Sequence, residues 1–247
     1  MDRVFLVGTA KPAGGRAAAE RFASIEQKYT FVKLAHQPVL DWLRHVFVPH
    51  PLYYESRICS IYYDTPWFDH YDEKRNGDFL KTKVRLRWYE QPGRVNRCPQ
   101  THCFLEVKQK TGAARHKKRL ELTLNTDALL SDSLSAEELQ RLPERLSEVG
   151  YIPDVRLMPM VLIHYLRNRF VDPRTGSSIA LDTEITCDRA NMLYVSATHP
   201  VYLGNGVLEI KGSSARLPDS LLPVSSALKR CTFSKYGRCL EMLTDTT

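Results

Sequence analysis

The sequence predicts an α+β fold: a mostly antiparallel sheet or closed barrel with helices flanking it at intervals. Three observations lead there. About eight runs alternate apolar and polar residues with the period of two that a half-buried strand requires. The helical stretches between them are few and do not follow each strand in turn, which argues against a βαβ rhythm and its parallel sheet. The polar faces of these runs are nearly all Arg, Lys and Glu, whereas a water-facing sheet ordinarily mixes in Ser, Thr, Gln and Asn.

The elements follow in order. Residues 1–22, centred on KPAGGRAAAER, read as a flexible lead-in to a single domain over residues 23–247. IEQKYTFVK is the first strand, PVLDWLRHVF a helix and RICSIYYDT the second strand, followed by a turn-rich link through KRNGD. Three strand-like runs come next in quick succession: KTKVRLRWYE, HCFLEVKQK and RHKKRLELTL. The stretch 133–149, SLSAEELQRLPERLSEV, opens with Ser and Glu in capping order and repeats Leu at helical spacing; Pro143 divides it into two short helices. MPMVLIHYLRNRFV, SSIALDTEITC and NGVLEIKG are strands again, and YGRCLEML is a C-terminal helix.

A chain of 247 residues with 43% hydrophobic content can bury one sizeable core. Thirty-five Lys and Arg against 28 Asp and Glu give a formal charge of +7, which favours an anionic partner: nucleotide, polyphosphate, nucleic acid or acidic lipid. The six cysteines form no CxxC pair and stand at no zinc-finger spacing from His, so they read as buried free thiols. The N-terminus lacks the order of a signal peptide, and no apolar run approaches the roughly 20 residues that span a bilayer. The chain is therefore expected in the cytoplasm, with any membrane contact supplied by a partner. No GxxxxGK[ST], GxSxG or paired-His helix is present, which removes the signatures of a backbone phosphate cradle, acyl chemistry and a zinc site.

The charged faces carry the chemistry. Glu26, Lys28 and Thr30 share one side of the first strand; Lys81, Lys83, Arg85, Arg87 and Tyr89 share another, backed by Val84, Leu86 and Trp88. Glu106, Lys108 and Lys110 align, as do Arg115, Lys117, Arg119 and Glu121, then Tyr165, Arg167 and Arg169, then Asp182 and Glu184, then Glu209 and Lys211. For one strand the solvated-face reading suffices. Recurrence in so many segments argues for a shared interior, and a barrel lined by cations with a few carboxylates holds a polyanion together with its metal. Arginine offers phosphate a planar fork of donors and lysine a mobile point charge, while carboxylates among them suit Mg2+ or Mn2+. Single-stranded nucleic acid needs exposed rings, and Trp88 is expected in the core, so nucleic acid is not an expected partner.

The ordered series EQK, SIYYDT, KVRLRWYE, FLEVKQK, KKRLEL, YLRNRF, LDTEI, LEIKG and FSKYGRCLE, over about residues 24–243, resembles the VTC domain. That domain is the polyphosphate polymerase branch of the triphosphate tunnel metalloenzymes, the CYTH-like superfamily. The resemblance implies an antiparallel eight-stranded β-barrel tunnel that binds ATP and Mn2+ or Mg2+ and moves the terminal phosphate onto a growing polyphosphate chain. By position it implies phosphate-binding and catalytic roles for Arg85, Arg87, Lys108, Lys117, Arg167 and Lys235, and substrate contacts by Lys28. Arg119, Arg169 and Lys211 share those faces as further substrate contacts. Glu209 matches the metal-binding glutamate, with Glu26 as its companion.

Two departures stand out. Ser178 occupies a place where the family usually has an arginine shortly before LDT, leaving Arg169 or Arg174 as replacements or the contact missing. Hydrolase relatives carry ExExK on the first strand; here Ser24 stands two before Glu26, which disfavours hydrolysis unless Glu106 or Asp182 compensates. A metal-dependent inorganic or nucleoside triphosphatase and a non-catalytic polyphosphate-binding module are the alternatives to a polymerase.

Overall fold

Period-two patterning folds as it reads. A computed structural model describes residues 25–93, 98–131, 134–196 and 199–244; the lead-in and Ser24 lie outside the described residues. In chain order the elements are β1 (Ile25–Val32), α1 (His36–Val46), β2 (Val48–Pro49), β3 (Glu55–Asp64), α2 (Asp69–Asn76), β4 (Leu80–Glu90), β5 (Gln100–Thr111) and β6 (Ala114–Asn125). They continue with α3 (Thr126–Leu130), α4 (Glu137–Arg141), β7 (Met158–Val171), β8 (Ser178–Ala190), β9 (Val201–Tyr202), β10 (Asn205–Gly212), β11 (Lys229–Arg230) and α5 (Lys235–Thr244).

The strands form one antiparallel sheet of eleven, in the order β11-β1-β10-β8-β7-β3-β4-β5-β6, with β2 added to β7 and β9 to β8. This corrects the expected eight-stranded barrel. Eight strands are long, the other three have two residues each, and among the described residues no backbone pairing joins β1 to β6. The reason is local: the outer edge of β1 is occupied by β11, through Tyr29 with Arg230 and Thr30 with Lys229. The sheet nevertheless curls enough for side chains to cross the gap, with Glu26 Oε2 3.5 Å from Lys108 Nζ and 3.4 Å from Arg115 Nη1.

Apolar faces turn outward from the curl and are covered by helices. Val84, Leu86 and Trp88 pack with Leu105, Leu122 and Leu124 beneath Leu139 of α4 and Leu142 and Leu146 of the 3-10 helix Leu142–Val149. Pro143 sits in the first turn of that 3-10 helix, so the segment divides into two short helices as expected. Val39 and Leu43, one turn apart on α1, cover Leu208 and Ile210. Cys239, Leu240 and Leu243 of α5 join Ile163, Ile185 and Cys187. Cys98 is exposed and Cys231 half-buried, so the expected burial holds for four of the six cysteines, Cys59, Cys103, Cys187 and Cys239.

The link through KRNGD is a helix rather than a run of turns. The Asp64 carboxylate accepts from the amides of His70 and Tyr71 at 2.9 and 3.0 Å, satisfying the donors at the start of α2, and Gly77 ends it at φ 79°. The register of β7 against β8 shifts between His164 and Leu166, opposite Glu184 at φ 52°. That irregularity separates two residues expected on one face: Asp182 is fully buried and Glu184 exposed.

Candidate functional site

The concave face of the curled sheet encloses a cavity of about 520 Å³. Fourteen lysines and arginines line it against four glutamates, so its wall is strongly cationic. Ten of the twelve residues singled out in the sequence are in that wall: Glu26 and Lys28 from β1, Arg85 and Arg87 from β4, Lys108 from β5, Lys117 from β6, Arg167 from β7, Glu209 and Lys211 from β10, and Lys235 from α5. Strand alternation explains the convergence, since each supplies its polar face to the same side.

Three carboxylate centres hold the cations in place. Glu106 is almost fully buried and binds Arg85 Nε at 2.8 Å, Arg119 Nη2 at 2.8 Å and Lys117 Nζ at 2.7 Å. Burial pushes its carboxyl up, but Arg85, Arg87 and Lys117 outweigh that and hold it far below the usual range. Asp182 receives the Arg167 fork at 2.5 and 2.7 Å and Lys235 Nζ at 2.5 Å. Its pKa is lowered to about 2, burial being overcome by Arg167 and Lys235. Each carboxylate serves several cations, so the side chains are positioned while a large positive surplus remains.

The third centre is a square of alternating charge on β1 and β10. Lys28 lies opposite Glu209 and Glu26 opposite Lys211 in the strand register. Lys28 Nζ is 3.1 Å from Glu26 and 4.0 Å from Glu209, while Lys211 Nζ is 2.7 Å from Glu209. Burial raises the Glu209 carboxyl, yet Arg167, Lys28 and Lys211 keep it well below its ordinary value. It is ionised at neutral pH, as a metal ligand must be.

Glu26 and Glu209 are the residues that could hold a divalent cation. Among the described residues no group of three His, Cys, Asp or Glu side chains converges as an all-protein metal cage. Two oxygen-donor carboxylates on paired strands fit the mode of Mg2+ and its analogues, which take one or two carboxylates and complete their shell with water and substrate phosphates.

Arg119 and Arg169 depart from the expectation that they contact the same space: neither lines the cavity. Arg119 is held by Glu106 and lies over the Phe104 ring at 4.3 Å. Arg169 donates to Ser56 Oγ at 2.8 Å and to the Tyr53 carbonyl at 3.2 Å, beyond the end of the cavity wall. Arg174 stands in the turn after β7, 3.9 Å from Asp172, so neither arginine takes the place left by Ser178; the cation opposite Ser178 is Lys211. Sequence reasoning placed Lys83 on the right face without giving it a role, and Glu106 and Asp182 emerge as anchors only from geometry. Lys74, Arg75 and Tyr71 of α2 also line the cavity and had no sequence signal.

The geometry can be set beside known proteins. The family model described as VTC domain matches residues 19–244. No curated protein matches the chain. Among solved structures, that of "a putative adenylate cyclase" from Bacillus halodurans is similar with a TM-score of 0.51 at 17% identity, covering 87% of this chain and 96% of the other. A second "putative adenylate cyclase", from Vibrio parahaemolyticus, has a TM-score of 0.43 at 14% identity, covering 87% of this chain and 97% of the other. At such identities the likeness to the Bacillus structure is one of fold. The match to the family model spans nearly every described element, and the chain belongs to the VTC domain family.

Proposed function

We propose that this chain is a polyphosphate polymerase, a single-domain cytoplasmic phosphotransferase that passes the terminal phosphate of ATP to a growing polyphosphate chain. The observation that carries the reading is the surplus of fourteen basic side chains over four acidic ones, drawn from separate strands and from α2 and α5 into one cavity. Membership of the VTC domain family supports it. An acceptor that is itself a phosphate chain explains why so much cationic wall is needed, and why no protein nucleophile is.

In this reading Arg85, Arg87 and Arg167 grip the transferring phosphoryl group with forked donors, and Lys108 and Lys117 bind the neighbouring phosphates. Lys235, anchored by Asp182, meets the charge that develops on the β-γ bridging oxygen. Lys28 and Lys211 orient the chain, and Arg119 and Arg169 extend its basic path past the cavity. A terminal oxygen of the chain forms the new bond to the γ-phosphorus, the β-γ bond breaks, and ADP leaves with the electron pair. Glu209 and Glu26 would hold Mn2+ or Mg2+, which when bound neutralises charge on the phosphate oxygens. No helix among the described residues is long and apolar enough to cross a membrane.

Incubation with ATP and Mn2+, read on a gel stained for polyphosphate with ADP and orthophosphate measured in parallel, tests the proposal. Lengthening chains with ADP are expected. Orthophosphate without chain growth would replace the reading with a triphosphatase, and binding without turnover would replace it with a polyphosphate-binding module.

A further inference from the structure

Lys83 differs from the anchored cations of the cavity wall; Lys74, Lys81 and Lys110, which also line the cavity, share its lack of a carboxylate within 4.0 Å among the described residues. Lys28, Arg85, Lys108, Lys117, Arg167 and Lys235 each have a carboxylate within 4.0 Å. Lys83, on the same wall, has none among the described residues. Its Nζ has one hydrogen-bond partner, the Ser234 hydroxyl at 3.4 Å, and stands 5.8 Å from the centre of the Tyr62 ring. The groups that act on it are Lys28 from β1, Arg85 from its own strand, Lys108 from β5 and Lys235 from α5. From α2 the cavity receives His70, Tyr71, Lys74 and Arg75, and again no carboxylate. Glu26, Glu106, Asp182 and Glu209 are all bonded to other cations, and Glu241 of α5, the remaining lining carboxylate, is paired with Arg238.

We propose that Lys83 takes up a proton when an oligophosphate enters the cavity, so that anion binding and protonation of this side chain are coupled. The inference rests on the oligophosphate-binding reading above and deepens it. An ammonium lodged among four cations, with a hydroxyl as its only hydrogen-bond partner among the described residues, is disfavoured; burial, then Lys28, Arg85, Lys108 and Lys235, hold the Lys83 pKa well below that of an ordinary lysine. A chain of phosphates brings several negative charges into the same space and reverses the balance. The arginines of the wall cannot respond in this way, because guanidinium stays protonated throughout the working range. Lysine, a compact charge whose pKa moves readily, can. Binding that takes up a proton strengthens as pH falls and weakens as pH rises.

Calorimetric titration of the full chain with sodium tripolyphosphate, in chelator so that no turnover intervenes, measures the coupling. Performed at pH 8 in buffers of different ionisation enthalpy, it is expected to show uptake on the order of one proton more for the wild type than for Lys83→Met. Lys83→Arg, charged before the anion arrives, is expected to bind at pH 8 at least as tightly as the wild type and to lack that uptake, which separates protonation from the mere presence of a cation. The affinity of the wild type should fall with rising pH by up to about tenfold per unit more than that of Lys83→Arg. Thermal melts of both variants establish that they are folded. Equal proton uptake in wild type and Lys83→Arg would overturn the inference while leaving oligophosphate binding intact. Failure of the wild type to bind tripolyphosphate at all would overturn both readings.

Discussion

Glu209 is the residue at which binding and turnover should part. Its side chain sits among Arg167, Lys28 and Lys211, so it subtracts from the positive potential that an oligophosphate meets. A carboxylate placed there opposes anion binding and is useful only to a cation shared with the anion. Glu209→Gln keeps the shape and an acceptor for Lys211 while removing the charge. It is expected to lower Mn2+-dependent turnover of ATP by about 100-fold or more, and to leave metal-free tripolyphosphate affinity unchanged or slightly tighter. ADP release and calorimetry check the two halves. Parallel loss of both would mean that Glu209 shapes the wall and does not hold the metal. The faces bearing Arg85, Lys108 and Glu209 were legible because alternation along a regular strand fixes which way each residue points. Lys83 was legible as a lining residue and illegible in its isolation, since partners depend on which strands meet. Arg119 and Arg169 share the right faces but lie a step too far along, a distance that sequence alone does not carry.

Among the elements, α2 and α5 complete the cavity where the sheet leaves it open, and one carboxylate ties them together. Asp64, at the end of β3, accepts from the Thr65, His70 and Tyr71 amides and from the Tyr236 hydroxyl, the last at 2.8 Å. The Tyr236 ring stacks on Tyr62 with centroids 5.3 Å apart and planes at 13°. Tyr236→Phe preserves that stacking and removes the buried hydroxyl bond. Because Asp64 keeps three backbone donors, the expected cost lies at about 1.5 kcal/mol, the low end of the range for a lost bond to a charged group, read by urea unfolding. A larger loss would show that α5 depends on Asp64 for its docking. This arrangement explains an omission in the sequence reading. β7 and β10 match MPMVLIHYLRNRFV and NGVLEIKG residue for residue, because long alternating runs declare themselves. α2 has no buried residue and hence no apolar period; it is a helix because a carboxylate from the preceding strand satisfies its first amides and Gly77 stops it. Likewise the two residues of β11 are too few to pattern, yet they occupy the edge through which a barrel would have closed.

At the scale of the molecule, the same charge network sets the response to acid. Glu106, Asp182 and Glu209 all have pKa values below those of ordinary carboxylates, burial in each case being outweighed by adjacent arginines and lysines. A carboxylate whose pKa is lower folded than unfolded stabilises the fold fully above its unfolded value and loses that contribution as pH falls through its folded one. For Asp182, lowered from 3.8 to about 2, the linked stabilisation is about 2 kcal/mol, and the other two act in the same direction. Unfolding free energy should therefore be nearly level from about pH 7 to 5 with respect to these groups and fall between about pH 4 and 2. Bound tripolyphosphate should not rescue it, because losing the carboxylates also frees the wall to repel itself where no anion reaches Asp182, which is fully buried. Asp182→Asn isolates one of these pieces. It leaves Arg167 and Lys235 without their shared anion, so it should cost about 3 to 5 kcal/mol at pH 6 and flatten the acid limb, bringing variant and wild type closer together at pH 2.5 than at pH 6. Urea unfolding of both proteins at the two pH values reads this directly, and parallel pH profiles would mean that Asp182 is not the proton-linked group that anchors α5 to the sheet.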